Sequence, residues 1–150
     1  MISRYEHFSF LISSIYRSVQ KIEREEMIKY GYKGAYAQYL AVMQRFPDGI
    51  TATQLGDACE KDKAGVSRAV SEMLEKGLIR REQNKDTVYR AKLYLTDMGR
   101  EAAAFVTQRA ADAVNAVGLS DEDRDGFYNV LVQIAANLAN IGEKGLPPRK

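Results

Sequence analysis

Residues 51–81 read TATQLGDACEKDKAGVSRAVSEMLEKGLIRR. Thr51 suits the N-cap of a short helix ending near Cys59, and Asp62 the N-cap of a second ending near Lys76. Gly77 then suits a C-terminal cap. Leu55, Gly56 and Cys59 share the inner face of the first helix, and the bare Gly56 lets the second cross it closely. Val66, Val70, Met73 and Leu74 form the buried face of the second. The face left outward near its start carries Lys63, Ala64, Ser67 and Arg68. Downstream, Leu78 to Gln83 reads as a strand, Asn84-Lys85-Asp86 as a turn, and residues 89–95 as a second strand. Tyr89, Ala91, Leu93 and Leu95 alternate with Arg90, Lys92 and Tyr94, which predicts one buried face and one outer face. Two short helices, a tight connection and a hairpin make a winged helix-turn-helix.

The flanks are helical. Tyr5, Phe8, Ile12, Ile15, Val19 and Ile22 recur at spacings of three and four, predicting a helix over about 5–30. A second helix over 35–46 carries Tyr36, Tyr39, Leu40, Val42, Met43 and Phe46 around most of its circumference, so it should be buried. Thr96 caps a fifth helix, Ala-rich to about Val117. Ser120 caps a sixth, opened by Asp121, Glu122 and Asp123, with Phe127, Val130, Leu131, Ile134, Leu138 and Ile141 as its stripe. Residues 143–150 read as a tail. The expected fold is mainly α: about six helices plus a β-hairpin wing, in one domain over 1–150. A winged lobe over 35–95 sits between dimerisation helices over 1–30 and 96–142. The long apolar faces of the first and last helices exceed what one small lobe can cover, and a twofold contact would bury them.

With 150 residues, 45% hydrophobic and 28% charged, the composition is that of an ordinary globular domain. No apolar run approaches the ~20 residues of a membrane span. One cysteine, Cys59, excludes an internal disulfide. Arg4, Glu6 and His7 interrupt any signal-like start. Together these point to the cytoplasm, with no membrane partner. His7 is the sole histidine. A multi-histidine metal site is excluded, and a His-dependent nucleophile would have to use a residue far in sequence from Cys59. No phosphate-cradling glycine loop is present. Neither enzyme activity, metal nor cofactor is expected.

The net charge of +2 hides an uneven distribution. Residues 61–92 hold nine basic against five acidic side chains, whereas residues 93–143 hold three against eight. A basic middle is the footprint of a polyanion binder. The same charges also suit a solvated helix face and a defended hairpin edge. In a helix-turn-helix the start of the second helix meets base edges in the major groove of double-stranded DNA. Arg68 can pair bidentately with guanine, Ser67 can bond a base or a phosphate, Ala64 can pack on a thymine methyl, and Lys63 lies beside them. Lys85, Arg90 and Lys92 would contact phosphates or the minor groove from the wing. Arg80 and Arg81 alternate, so only one can face DNA. Gly65 costs about 1 kcal/mol in a helix relative to alanine. Close approach to DNA or to the preceding helix would explain it.

The chain resembles the MarR (multiple antibiotic resistance regulator) family over about residues 5–141. The resemblance rests on Gln38-Tyr39, Thr53-Gln54-Leu55, Val66-Ser67-Arg68, the run from Leu74 to Arg81, and Leu95-Thr96-Asp97-Met98-Gly99, in that order and spacing. It implies an obligate homodimer with the first, fifth and sixth helices interleaved. It also implies a transcription regulator, usually a repressor, on a near-palindromic operator. The family's Asp-x-Arg at the wing tip is out of register here. Tyr89 stands at the arginine position and Asp86 is displaced, leaving Arg90 as the substitute. Glu60 and Lys61 replace the usual glycine-apolar pair of the turn. Cys59 falls at an apolar core position, so it should be buried and inert.

The resemblance also leaves room for a small aromatic or anionic effector between the first, second and fifth helices. Tyr16, Tyr36 and Tyr39 are the candidates to line that pocket, and Arg17 and Lys33 the candidates to receive a carboxylate. The alternative is that these are core tyrosines with bonded hydroxyls. The rival function is a winged-helix protein-interaction module without specific DNA binding. The basic, polar face of the second motif helix argues against it.

Overall fold

The structure is a computed structural model that describes residues 3–82 and 90–149. It has the mainly α winged-helix architecture expected from the pattern: six helices and a three-stranded antiparallel sheet among the described residues. The chain divides into two units, Met1–Ala113 and Val114–Lys150.

In the first unit, α1 (Arg4–Tyr30) begins with a reciprocal cap. Ser3 Oγ accepts from Glu6 N at 3.0 Å, and the Glu6 carboxylate accepts from Ser3 N at 2.7 Å. Gly31, in the left-handed region, ends the helix. Helix α2 (Tyr36–Met43) is buried on nearly every side, as its apolar circumference predicts. It stops three residues earlier than expected, and Phe46 is exposed rather than buried. The cause is Pro47, which drives the preceding residue out of the α region. The chain tightens ahead of it, with Arg45 N donating to Val42 O and Phe46 N to Met43 O.

A short strand that the sequence pattern did not announce, β1 (Ile50–Thr51), leads into α3 (Ala52–Cys59). Helix α4 (Lys63–Glu75) follows, then β2 (Ile79–Arg81) and β3 (Lys92–Leu95). The sheet order is β1-β3-β2, with Ile50 opposite Leu93 and Ile79 opposite Leu95. Ala91, Leu93 and Leu95 are buried and Lys92 exposed, so the alternation read from the sequence holds. The described strands are shorter than the pattern suggested.

Helix α5 (Asp97–Asn115) starts at Thr96. The Thr96 hydroxyl accepts from Gly99 N at 3.1 Å and donates to Gly77 O at 2.5 Å. Gly99 lies so close to the Leu78 carbonyl that a Cβ there would run into it. Ala102, Ala103, Val106 and Ala110 form its buried face. Small side chains let the helix approach closely. Tyr30 and Phe105 pack with ring centroids 4.9 Å apart, and Glu26 joins Lys29 at 3.0 Å and Arg109 at 3.5 Å. The core runs from Met27 through Tyr36, Leu40, Met43, Ile50, Leu55, Met73, Leu78 and Leu93 to Val106.

The second unit holds α6 (Asp121–Lys144). Ser120 Oγ accepts from Asp123 N at 3.1 Å, and three acids sit in the first turn, as the helix dipole favours. None of its side chains is buried. No helix among the described residues is long and apolar enough to cross a membrane.

Candidate nucleic-acid interface

The turn between α3 and α4 places the candidate reading face. Thr51 and Gln54 cap α3 reciprocally, at 3.2 and 3.0 Å. Helix α3 ends on Glu60, which adopts φ 53°, ψ 43°, the left-handed region that glycine enters without cost. Lys61 N returns to Gly56 O at 3.0 Å. Asp62 then caps α4, its Oδ1 accepting from Gly65 N at 2.7 Å.

Two glycines explain the close fit. A Cβ on Gly56 would stand 2.9 Å from Val66 Cγ2, so the missing side chain does let the helices cross. Gly65 meets no part of the preceding helix, one of the two reasons the sequence offered for it. A Cβ there would stand 2.8 Å from Asp62 Oδ1, with no atom of α3 within 4 Å. The glycine makes room for the cap of its own helix.

Val66, Ala69, Val70 and Met73 are buried, which turns Lys63, Ala64, Ser67 and Arg68 outward together. Cys59 is buried, and burial pushes its thiol pKa up, as the inert reading requires. Gln38 Nε2 donates to the Cys59 carbonyl at 3.4 Å, tying α2 to the end of α3.

The hairpin separates its cations. Arg90 is exposed. Lys92 donates to the Asp48 carbonyl at 3.4 Å, a structural contact that the sequence did not foretell. Arg80 lies over the Tyr94 ring, 4.3 Å from its centroid. The Tyr94 ring in turn covers Gly49, where φ is +93° and a Cβ would stand 2.8 Å from Tyr94 Cζ. Lys85, with Asp86 and Tyr89, lies outside the described residues.

Helices of this length, capped and crossed in this way and followed by this sheet, match known proteins. Residues 30–87 match the family model described as the MarR family. Among solved structures, a MarR-family transcriptional regulator from Silicibacter pomeroyi superposes with a TM-score of 0.73 at 24% identity, over 91% of this chain and 92% of that one. A MarR transcriptional regulator from Methanosarcina mazei Go1 gives 0.73 at 22%, over 91% and 99%. A MarR-family regulator from Listeria monocytogenes, solved in complex with a 26mer DNA, gives 0.68 at 21%, over 93% and 95%. These likenesses establish the MarR winged-helix fold. No curated protein matches the chain by sequence.

The tyrosines that the MarR resemblance singled out do not lie in one setting. Tyr16 is exposed on α1. Tyr36 is fully buried, and its hydroxyl donates to Glu72 Oε2 at 2.5 Å. Lys33 donates to both Glu72 oxygens, at 2.9 and 3.0 Å, so the carboxylate it receives is one of this chain's own. The Tyr36 hydroxyl and the Lys33 ammonium hold the Glu72 carboxyl below its usual range. Burial, together with that carboxylate, pushes Tyr36 up to about 12. Tyr39 is buried beside a cavity of about 130 Å3 that Gln20, Glu23, Arg24, Gln38 and Lys61 help to line. Burial raises the Glu23 pKa there. The Glu72 cluster escaped the sequence reading because nothing in the spacing of residues 33, 36 and 72 brings them together.

Proposed function

We infer that this protein is a DNA-binding transcriptional regulator, most simply a repressor, that reads duplex DNA as a homodimer. The observation that carries this reading is the composition of one helix face. Lys63, Ala64, Ser67 and Arg68 are all exposed on the first two turns of α4, while its opposite face is buried. Arg68 is the base-reading residue, with a fork that matches the O6 and N7 acceptors of guanine. Ser67 serves a base or a phosphate, Ala64 a thymine methyl, and Lys63 the backbone. Arg90 serves the wing, with Lys85 and Lys92 as its companions.

The dimer is supported by apolar surface that a single chain leaves in water. Phe10, Ile15 and Tyr16 on α1 and Phe127, Val130 and Leu138 on α6 are all exposed. A twofold pair of such lobes sets two α4 helices about 34 Å apart, one turn of DNA, and calls for a palindromic site. Release by a small aromatic or anionic effector belongs to the same reading, and the cavity beside Tyr39 is the place to look for it.

Selection of bound sequences from a random DNA pool, at two salt concentrations, tests the reading. A palindrome with half-sites one turn apart is the expected result. Recovery of unrelated sequences that are lost at moderate salt would overturn it in favour of a protein-interaction module.

A further inference from the structure

Arg80 and Arg81 are neighbours in sequence that part in space. Across the sheet Arg80 is opposite Tyr94 and Arg81 is opposite Leu93. Directly opposed residues in an antiparallel pair place their side chains on one face. Arg80 therefore shares the outer face with Tyr94, on whose ring it rests. Arg81 shares the inner face with Ile79, Leu93 and Leu95, all three of them buried. It is the last described residue of β2, so it leaves that face at the rim rather than in the core, and it is exposed.

What it meets there is the groove between α3 and α4. Arg81 lines that groove together with Thr53, Lys61, Lys63, Ser67 and Ser71, against a single acid, Asp57. Arg81 makes no ion pair among the described residues. Ser67 and Ser71 are one turn apart on the exposed side of α4, so their hydroxyls line the same wall. Three cations and three hydroxyls facing one carboxylate suit a singly charged tetrahedral anion. The guanidinium fork supplies paired donors, and the hydroxyls supply single ones.

We propose that Arg81, with the hydroxyls of Ser67 and Ser71, holds a backbone phosphate of bound DNA. The proposal rests on the DNA-binding reading and adds to it the contact that sets the register of α4. A phosphate clamp carries no sequence information of its own. It fixes where along the groove Arg68 meets the bases. Arg80, one residue away, has no part in it.

The test is fluorescence anisotropy of the full chain across a salt series, on the selected operator and on a random-sequence duplex. The proteins are wild type, Arg81→Ala, Arg81→Lys and Arg80→Ala, each checked for its thermal midpoint. Arg81→Ala should weaken both duplexes by the same factor. The slope of log affinity against log salt should become shallower by about 0.9 for each lobe engaged. Arg81→Lys keeps the charge and the aliphatic stem and should keep the slope. Arg80→Ala should also keep it. A wild-type slope in Arg81→Ala overturns the proposal and leaves the DNA reading standing, as does a loss confined to the operator. Failure of wild type to bind either duplex removes the DNA reading itself, and the proposal with it.

Discussion

The Tyr36 hydroxyl donates to Glu72 at 2.5 Å and so fastens the first turn of α2 to the last turns of α4. Lys33 closes the group from the side, at 2.9 Å. The phenol that holds this end of α4 is itself fully buried. The bond adds a directed tie to the apolar packing of Val66, Val70 and Met73.

Alkaline titration should expose this bond. Tyr36 titrates at about 12 in the folded chain, above the ordinary tyrosine value of about 10. Its stabilising contribution is complete below pH 10 and is lost as pH rises from about 10 towards 12. Glu72 has the opposite sign. Its pKa is lowered, so its contribution is present above the usual carboxylate range and is lost as pH falls through the folded value. Thermal midpoints measured from pH 3 to 12 should fall at both ends. Tyr36→Phe should lower the neutral midpoint by roughly 2–4 °C and remove the part of the alkaline fall that is specific to this residue. An unchanged alkaline limb would show that the bond contributes nothing.

Glu60 holds a left-handed backbone that costs an L-residue about 1–2 kcal/mol. Glu60→Gly should stabilise the chain by up to about 1 kcal/mol, after the extra freedom of glycine in the unfolded state is subtracted. Denaturant unfolding measures this directly. A destabilised glycine variant would mean that the Glu60 side chain makes a compensating contact.

Glycines in different settings should respond with opposite signs. Gly99→Ala forces a methyl group onto the Leu78 carbonyl and should cost about 3 kcal/mol or more. Gly126→Ala, with nothing within 4 Å in this chain and an ordinary helical backbone, should stabilise α6 by up to about 1 kcal/mol. A destabilising Gly126→Ala would place a second surface against that position.

Arg68→Ala should cost roughly 1–3 kcal/mol on the selected operator and flatten its sequence preference. Arg90→Ala should weaken operator and random duplex equally. Binding isotherms on the two duplexes separate these outcomes. A flat response to Arg68→Ala would move base reading elsewhere on α4.

Ile15→Glu and Val130→Glu place charge on exposed apolar faces of α1 and α6. Each should leave the circular dichroism of the helices in place while shifting the sedimenting species from dimer to monomer. A wild-type chain that sediments as a monomer removes the dimer from the proposed function.

Local signals were legible before the structure. Thr51, Asp62, Ser120 and Gly77 marked helix ends because caps are short-range chemistry, and Gly56 marked a crossing because the helix after a tight turn must fold back over the one before it. The alternation at Ala91, Leu93 and Leu95 identified the inner face of the wing. What escaped was everything that depends on register or on long separation. The choice between Arg80 and Arg81 needs the pairing of Ile79 with Leu95, which alternation alone does not supply. The ends of the Lys33–Tyr36–Glu72 group are 39 positions apart in the chain. Gly65 was visible as an anomaly, but the side chain that crowds it lies three residues away, in the cap Asp62. Phe46 was misplaced because its apolar character outweighed the constraint imposed by the proline after it.

Thr96 has a mechanical consequence. Its hydroxyl bridges the end of the α4 segment and the first turn of α5, and Gly99 is pressed against Leu78 beside it. Two contacts, Thr96 Oγ to Gly77 O and Gly99 against the Leu78 carbonyl, hold the start of α5 to the segment that follows α4, and that junction is an elbow. Helix α5 is then a lever of 19 residues. At 1.5 Å per residue it is about 28 Å long, and a tilt of about 5° at its far end carries the elbow sideways by about 2–3 Å. That is the length of one hydrogen bond, so a small strain at the far end of α5 reaches the segment that follows α4.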